Sequence, residues 1–116
     1  MSKVTIYHNP RCSKSRQTLA ILEEQGIKPD VVLYLETPPD ARELKLLVDQ
    51  LGISPRELLR TSETEYKAMK LDNKKMSDAD VINAMVKAPI LIQRPIVVKG
   101  NKAVMGRPPE NVLSLL

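Results

Sequence analysis

The feature that most constrains this chain is a change of hydrophobic period across one break near its N-terminus. Val4 and Ile6 alternate with Thr5, the two-residue repeat of a strand, which runs to about Tyr7-His8. Asn9-Pro10 interrupts it, because proline has no N–H and a fixed φ. From Ser13 the spacing becomes helical, with Thr18, Leu19 and Leu22 on one face and Gly26 as the stop signal. Val31 to Leu35 is then a continuous β-branched and apolar run, the pattern of a strand buried on both faces. Strand, helix and strand in that order imply a parallel pair joined by a right-handed crossover.

The middle of the chain reads as helical. Pro38-Pro39 ends the second strand, and Asp40 with Glu43 three residues later resembles a capping box. Leu44, Leu47, Val48 and Leu51 follow at helical spacing, stopped by Gly52. Ser54-Pro55-Arg56-Glu57 is another start signal. The polar stretch from Thr61 to Lys75 suggests short helical turns, and Ser77 with Asp80 caps a helix carrying Val81, Ile82, Met85 and Val86. After Pro89, Ile96-Val97-Val98, a turn at Gly100-Asn101 and Ala103-Val104-Met105 read as a β-hairpin. A last short helix follows Pro108-Pro109, with Val112, Leu113 and Leu116 expected to face inward. With no repeats, low-complexity tracts or linkers, residues 1–116 are expected to form a single α/β domain. Its order, β-α-β, helical insertion, β-β-α, is that of a thioredoxin-like mixed sheet. In such a sheet the site lies where the first strand hands over to its helix, and Cys12 sits at that handover.

Composition narrows the chemistry available there. One cysteine among 116 residues excludes an internal disulfide, and one cysteine with one histidine cannot build a Cys/His zinc site, so no metal is expected. The balance of 18 basic and 14 acidic residues, net +4, suits an anionic partner. Nucleic acid is disfavoured, since only Tyr7, Tyr34 and Tyr66 could stack on bases and Lys74-Lys75 is the longest Lys/Arg run. The pattern fits a small oxyanion better. The apolar runs are too short to span a bilayer and the N-terminus lacks an apolar signal region, so a cytoplasmic protein with no membrane partner is expected.

His8-Asn9-Pro10-Arg11-Cys12-Ser13-Lys14-Ser15-Arg16 carries the chemistry. A thiol at a helix N-terminus meets backbone N–H groups and the positive end of the helix dipole, and Arg11, Lys14 and Arg16 add positive charge. Lowering a thiol pKa from about 8.5 to about 6.5 raises its thiolate fraction at neutral pH from a few per cent to roughly three quarters. Ser15 stands three residues after Cys12, so the motif is C-x-x-S and an internal dithiol relay is excluded. Thr18 occupies the arginine position of a phosphatase-type C-x5-R loop, which excludes that chemistry too. A nucleophilic Cys12 must therefore have its adduct resolved by an external thiol. His8 either bonds the thiol and supports the thiolate or simply ends a strand, satisfied by backbone.

The H-N-P-x-C-S-x-S-R segment, Arg60 in Leu58-Leu59-Arg60, Arg94 in Arg94-Pro95-Ile96-Val97-Val98, and Arg107 in Gly106-Arg107-Pro108 together resemble the glutaredoxin-coupled arsenate reductases. The likeness runs from Thr5 to about Leu115. It implies a thioredoxin-like fold in which Cys12 attacks arsenate, with Arg60, Arg94 and Arg107 holding the oxyanion; from their places beside Cys12, His8 and Ser15 are the candidates for supporting the thiolate. It further implies glutathione as co-substrate, glutaredoxin as partner, no bound cofactor, and a cis peptide bond before Pro95. Arsenate reductases of this type often extend beyond the last helix, whereas this sequence ends at Leu116, and no matched residue lies in such an extension. A glutathione-dependent thiol reductase of the same fold is the alternative, although a disulfide substrate would give three arginines no oxyanion to hold. A transcription regulator of related fold ranks third, because Ser15 replaces the second cysteine of its redox motif.

Overall fold

The computed structural model describes residues 3–116. It comprises two compact units, one built from the chain up to Thr37 together with Arg94–Leu116, the other from Pro38–Gln93. The first holds all four strands. β1 (Val4–His8) pairs in parallel with β2 (Asp30–Leu33), Thr5 opposite Asp30 and His8 opposite Leu33. On its other side β1 pairs antiparallel with β3 (Ile96–Lys99), which turns through Gly100 into β4 (Lys102–Met105). The order β2-β1-β3-β4 is the expected thioredoxin-like mixed sheet. Helix α1 (Ser13–Glu24) joins β1 to β2, and Gly26, at φ +76°, supplies the left-handed residue that turns the chain after it.

The core of this unit lies between one sheet face and two helices. Val4, Ile6 and Val97 from the strands pack with Leu22 of α1 and Val112 of the C-terminal helix. At about 25 cal/mol per Å² of apolar surface removed from water, each large side chain buried here stabilises the fold by about 1.5–3 kcal/mol before conformational entropy is counted.

Two expectations are corrected. The Val31 to Leu35 run is not a strand buried on both faces: β2 is an edge strand and Val31 is 46% exposed. It ends at Leu33 because the N–H groups of Glu36 and Thr37 both turn back onto the Leu33 carbonyl, at 2.9 and 2.8 Å. The C-terminal helix, Pro109–Leu115, is 3₁₀ rather than α, and leaves Leu113 and Leu116 exposed. Three residues per turn eclipse positions i and i+3, so Pro109, Val112 and Leu115 form its inner stripe.

The Pro38–Gln93 unit is the expected helical insertion. It contains α2 (Ala41–Leu51), α3 (Thr64–Ala68) and α4 (Asp78–Lys87), with 3₁₀ turns at Pro55–Leu58 and Pro89–Leu91. Asp40 Oδ1 accepts the Glu43 N–H at 2.8 Å to cap α2, and Gly52 ends it at φ +70°. Ser77 and Asp80 form a reciprocal capping box on α4. The polar segment after Thr61 is held by Arg56, whose guanidinium donates to the carbonyls of Leu71 and Asn73 at 2.6 and 2.9 Å. Leu59 and Ile92 form a short antiparallel bridge, which places Arg60 just beyond paired backbone. Among the described residues no helix is long and apolar enough to cross a membrane.

Gly106, after β4, ties α1 to the loop before β3. A Cβ there would collide with Thr18 Oγ1 and approach Pro95 Cγ to 2.8 Å. Neither neighbour can yield easily: Thr18 Oγ1 donates to the Lys14 carbonyl at 2.8 Å, and the proline is a closed ring. Gly106→Ala is therefore expected to destabilise the protein by about 1–3 kcal/mol, the usual range for overpacking. Thermal melts followed by circular dichroism would show a lower Tm with unchanged helix content. An unaltered Tm would mean that this contact relaxes freely.

Candidate active site around Cys12

The end of β1 is converted into the start of α1 by a four-residue turn. The Cys12 N–H donates to the Asn9 carbonyl at 3.0 Å, and Pro10 occupies the second position, where its fixed φ suits a turn. Asn9 Oδ1 accepts the Arg11 N–H at 3.0 Å, an Asx turn nested in the first. Arg16 closes the outside, its Nη1 donating to the Pro10 carbonyl at 2.8 Å. Cys12 thereby becomes the N-cap of α1, with extended backbone and its carbonyl accepting the first helical bond, from Arg16 N–H at 3.0 Å.

The sulfur is partly exposed and bears a free thiol. Burial acts against its ionisation and is the largest single influence. The Ser15 N–H, the hydrogen bond and charge of the Arg94 guanidinium, and the Lys14 N–H together outweigh it, holding the thiol below its ordinary pKa. The first turn of α1 contains no acidic residue, so no carboxylate competes for those N–H groups.

Ser15 and His8 form a second, buried layer behind this turn. His8 Nδ1 lies 2.6 Å from Ser15 Oγ, and the same oxygen accepts the Asn9 N–H at 3.0 Å. The arrangement that uses every hydrogen has Ser15 Oγ–H donating to Nδ1, which puts the imidazole proton on Nε2. Burial, and then the charge of Arg16, push the His8 pKa below its ordinary value, so the ring is neutral at neutral pH. His8 thus braces the turn through the Ser15 side chain, a partner that neither reading of the sequence named, and Ser15 also presents its backbone N–H toward Cys12.

The arginines divide between the units. Arg94 meets Cys12 directly, and the Arg94–Pro95 peptide bond is cis. Arg107 joins the same corner, its Nη1 donating to the Arg94 carbonyl at 3.2 Å, and the Arg107–Pro108 bond is also cis, which the sequence reading did not single out. Arg60 belongs to the Pro38–Gln93 unit, where its N–H donates to the Leu91 carbonyl at 2.7 Å and its Nε lies 3.1 Å from Glu63 Oε1. Sequence reasoning read Asn9-Pro10 as a strand break without giving the Asn9 side chain a part in the turn, and it passed over Glu63, although its spacing of three from Arg60 suits a side-chain pair.

Two titrations follow from these contacts. Alkylation of Cys12 with iodoacetamide should rise with pH along a curve whose midpoint lies below that of an ordinary thiol, and Arg94→Ala should move the midpoint upward. An unchanged midpoint would remove Arg94 from the sulfur's environment. His8 has a depressed folded-state pKa, so between that value and about 6.5 the unfolded chain binds the extra proton and stability rises with pH. Its contribution is complete above about pH 6.5 and is lost as pH falls through the folded-state pKa. Melts of wild type and His8→Gln from about pH 5 to about pH 8 should therefore differ in slope over that window, the variant being the flatter.

The sequence matches the ArsC family across residues 7–115. It is 54% identical over 115 residues to an uncharacterized protein of Escherichia coli K12, YfgD, covering 98% of this chain and 97% of that one. It is 48% identical over 114 residues to an arsenate reductase of Haemophilus influenzae, covering 97% of this chain and 98% of that one. The structure superposes on that of an arsenate reductase from Vibrio cholerae with a TM-score of 0.97 at 52% identity, covering 99% and 98% of the two chains. By its matched length, its identity to these proteins and its fold, the chain belongs to the ArsC family.

Proposed function

We propose that this chain reduces arsenate to arsenite through a covalent Cys12 adduct, with glutathione and glutaredoxin as the external thiols. The observation that carries the reading is the Arg94 guanidinium on the sulfur of a helix-capping thiol, which sets a cation beside a nucleophile. Arsenate is the oxyanion named by the relatives. A guanidinium suits it because its fork of N–H donors matches a tetrahedral oxyanion.

The thiolate attacks arsenic(V), an arsenate oxygen leaves as water, and a sulfur–arsenic bond forms. Arg94 and Arg107 hold the remaining oxygens. Arg60, the third arginine of the family pattern, is assigned the same role. Glutathione then adds to arsenic with loss of a second water. The glutaredoxin thiolate attacks the glutathione sulfur, and the electron pair of the arsenic–glutathione bond stays on arsenic, giving arsenic(III) and a glutaredoxin–glutathione disulfide. Two thiols are oxidised to one disulfide and two electrons reach arsenic. Water cleaves the last sulfur–arsenic bond, releasing arsenite and Cys12. A chain with C-x-x-S in place of C-x-x-C has to import these thiols.

Arsenite formation in the presence of glutathione and glutaredoxin tests the reading. Cys12→Ser should lower kcat/KM by at least about a thousandfold, and Arg94→Ala by on the order of a hundredfold, the scale for losing an oxyanion donor. Arg107→Ala and Arg60→Ala should each lower it as well. Equal activity in wild type and Cys12→Ser would overturn the proposal.

A further inference from the structure

The turn that presents Cys12 has a second side. Its outer wall, with the end of β2 and the turn after it, encloses a cavity of about 320 Å³ lined by His8, Asn9, Pro10, Arg11, Leu33, Leu35 and Glu36. That volume lies within the range of small-molecule sites. Its lining is amphoteric: Arg11 offers a guanidinium, Glu36 a carboxylate, and Leu33 and Leu35 apolar surface. With Nδ1 engaged by Ser15, Nε2 is the His8 ring nitrogen left for a ligand. Arg11 precedes Cys12 in the chain, so the cavity wall is formed by the same turn that carries the nucleophile.

A small inorganic oxyanion would not need Glu36, which repels it, nor the two leucines. A glutathione-type tripeptide thiol uses all of them: a carboxylate for Arg11, an ammonium for Glu36, and methylenes for Leu33 and Leu35. We infer that this cavity binds the glutathione co-substrate, so that the resolving thiol approaches from the β2 side while Arg94 and Arg107 occupy the β3 side with the oxyanion. The inference rests on the function proposed above. It assigns to Glu36 and Leu35 a purpose that neither the sheet nor the nucleophile requires.

Titration of the ¹⁵N-labelled full chain with S-methylglutathione, which cannot react, tests it. Amide shifts are expected to move at Arg11, Leu33, Leu35 and Glu36, and Glu36→Gln should weaken binding by roughly five- to tenfold, the scale of one charge-assisted contact. Shifts confined to Gly106 and Arg107, binding undiminished in Glu36→Gln, or no shift at about 10 mM ligand, beyond the range of a weak complex, would each overturn it. Arsenite formation is measured separately. If arsenite forms while the tripeptide bypasses the cavity, the site alone fails. If the tripeptide binds there and no arsenite forms, the site stands and arsenate is the wrong substrate.

Discussion

The hydrogen bond from the Cys12 N–H to the Asn9 carbonyl is the hinge of this structure. On one side of it lies β1, one of the two inner strands of the sheet, paired on both edges. On the other lies α1, whose Leu22 completes the core beneath that strand. Four residues must reverse the chain tightly enough for both to hold. Pro10 fixes one dihedral, the Asn9 side chain occupies the Arg11 N–H, and Ser15 occupies the Asn9 N–H. Every backbone N–H of the turn has a partner, which lets Asn9 and His8 be buried.

The same turn decides the electrostatics of the sulfur. A partly buried thiolate is unfavourable in a protein interior, and here burial is the largest influence on Cys12. The chain answers with directional donors: two backbone N–H groups from the helix and one guanidinium from the loop before β3. Their positions depend on rigid neighbours. Thr18, Pro95 and Gly106 meet without room for one additional carbon, so the middle of α1 and the Arg94–Pro95 loop are locked against each other. Packing at Gly106 thus contributes to chemistry at Cys12 without touching it.

Much of this was legible in the residues. Punctuation by Pro10, Gly26, Pro38, Gly52 and Gly100 marks chain reversals through backbone sterics that tertiary context rarely overrides, so the element order and the position of Cys12 could be read directly. What escaped were features set by neighbours distant in sequence. Val31 to Leu35 has the same composition whether its strand lies inside a sheet or at its edge, and only the pairing shows that β2 is the edge. Leu113 and Leu116 suit an α-helical stripe, but the last helix winds at three residues per turn. His8 ends a strand and Ser15 lies in the first turn of a helix, so neither the strand period nor the helix period relates them and their contact could not be anticipated.

The first turn of α1 differs from those of α2 and α4, which carry Glu43 and the pair Asp78 and Asp80. Those carboxylates offset the positive end of each helix, whereas α1 begins with Lys14 and Arg16 and has none. The nucleophile itself supplies the negative charge that this terminus lacks whenever its sulfur is ionised, which the lowered pKa favours. Cys12 therefore serves as an electrostatic keystone as well as a reagent, and whatever neutralises its sulfur, an alkyl group for instance, also withdraws support from the first turn of the helix that activates it.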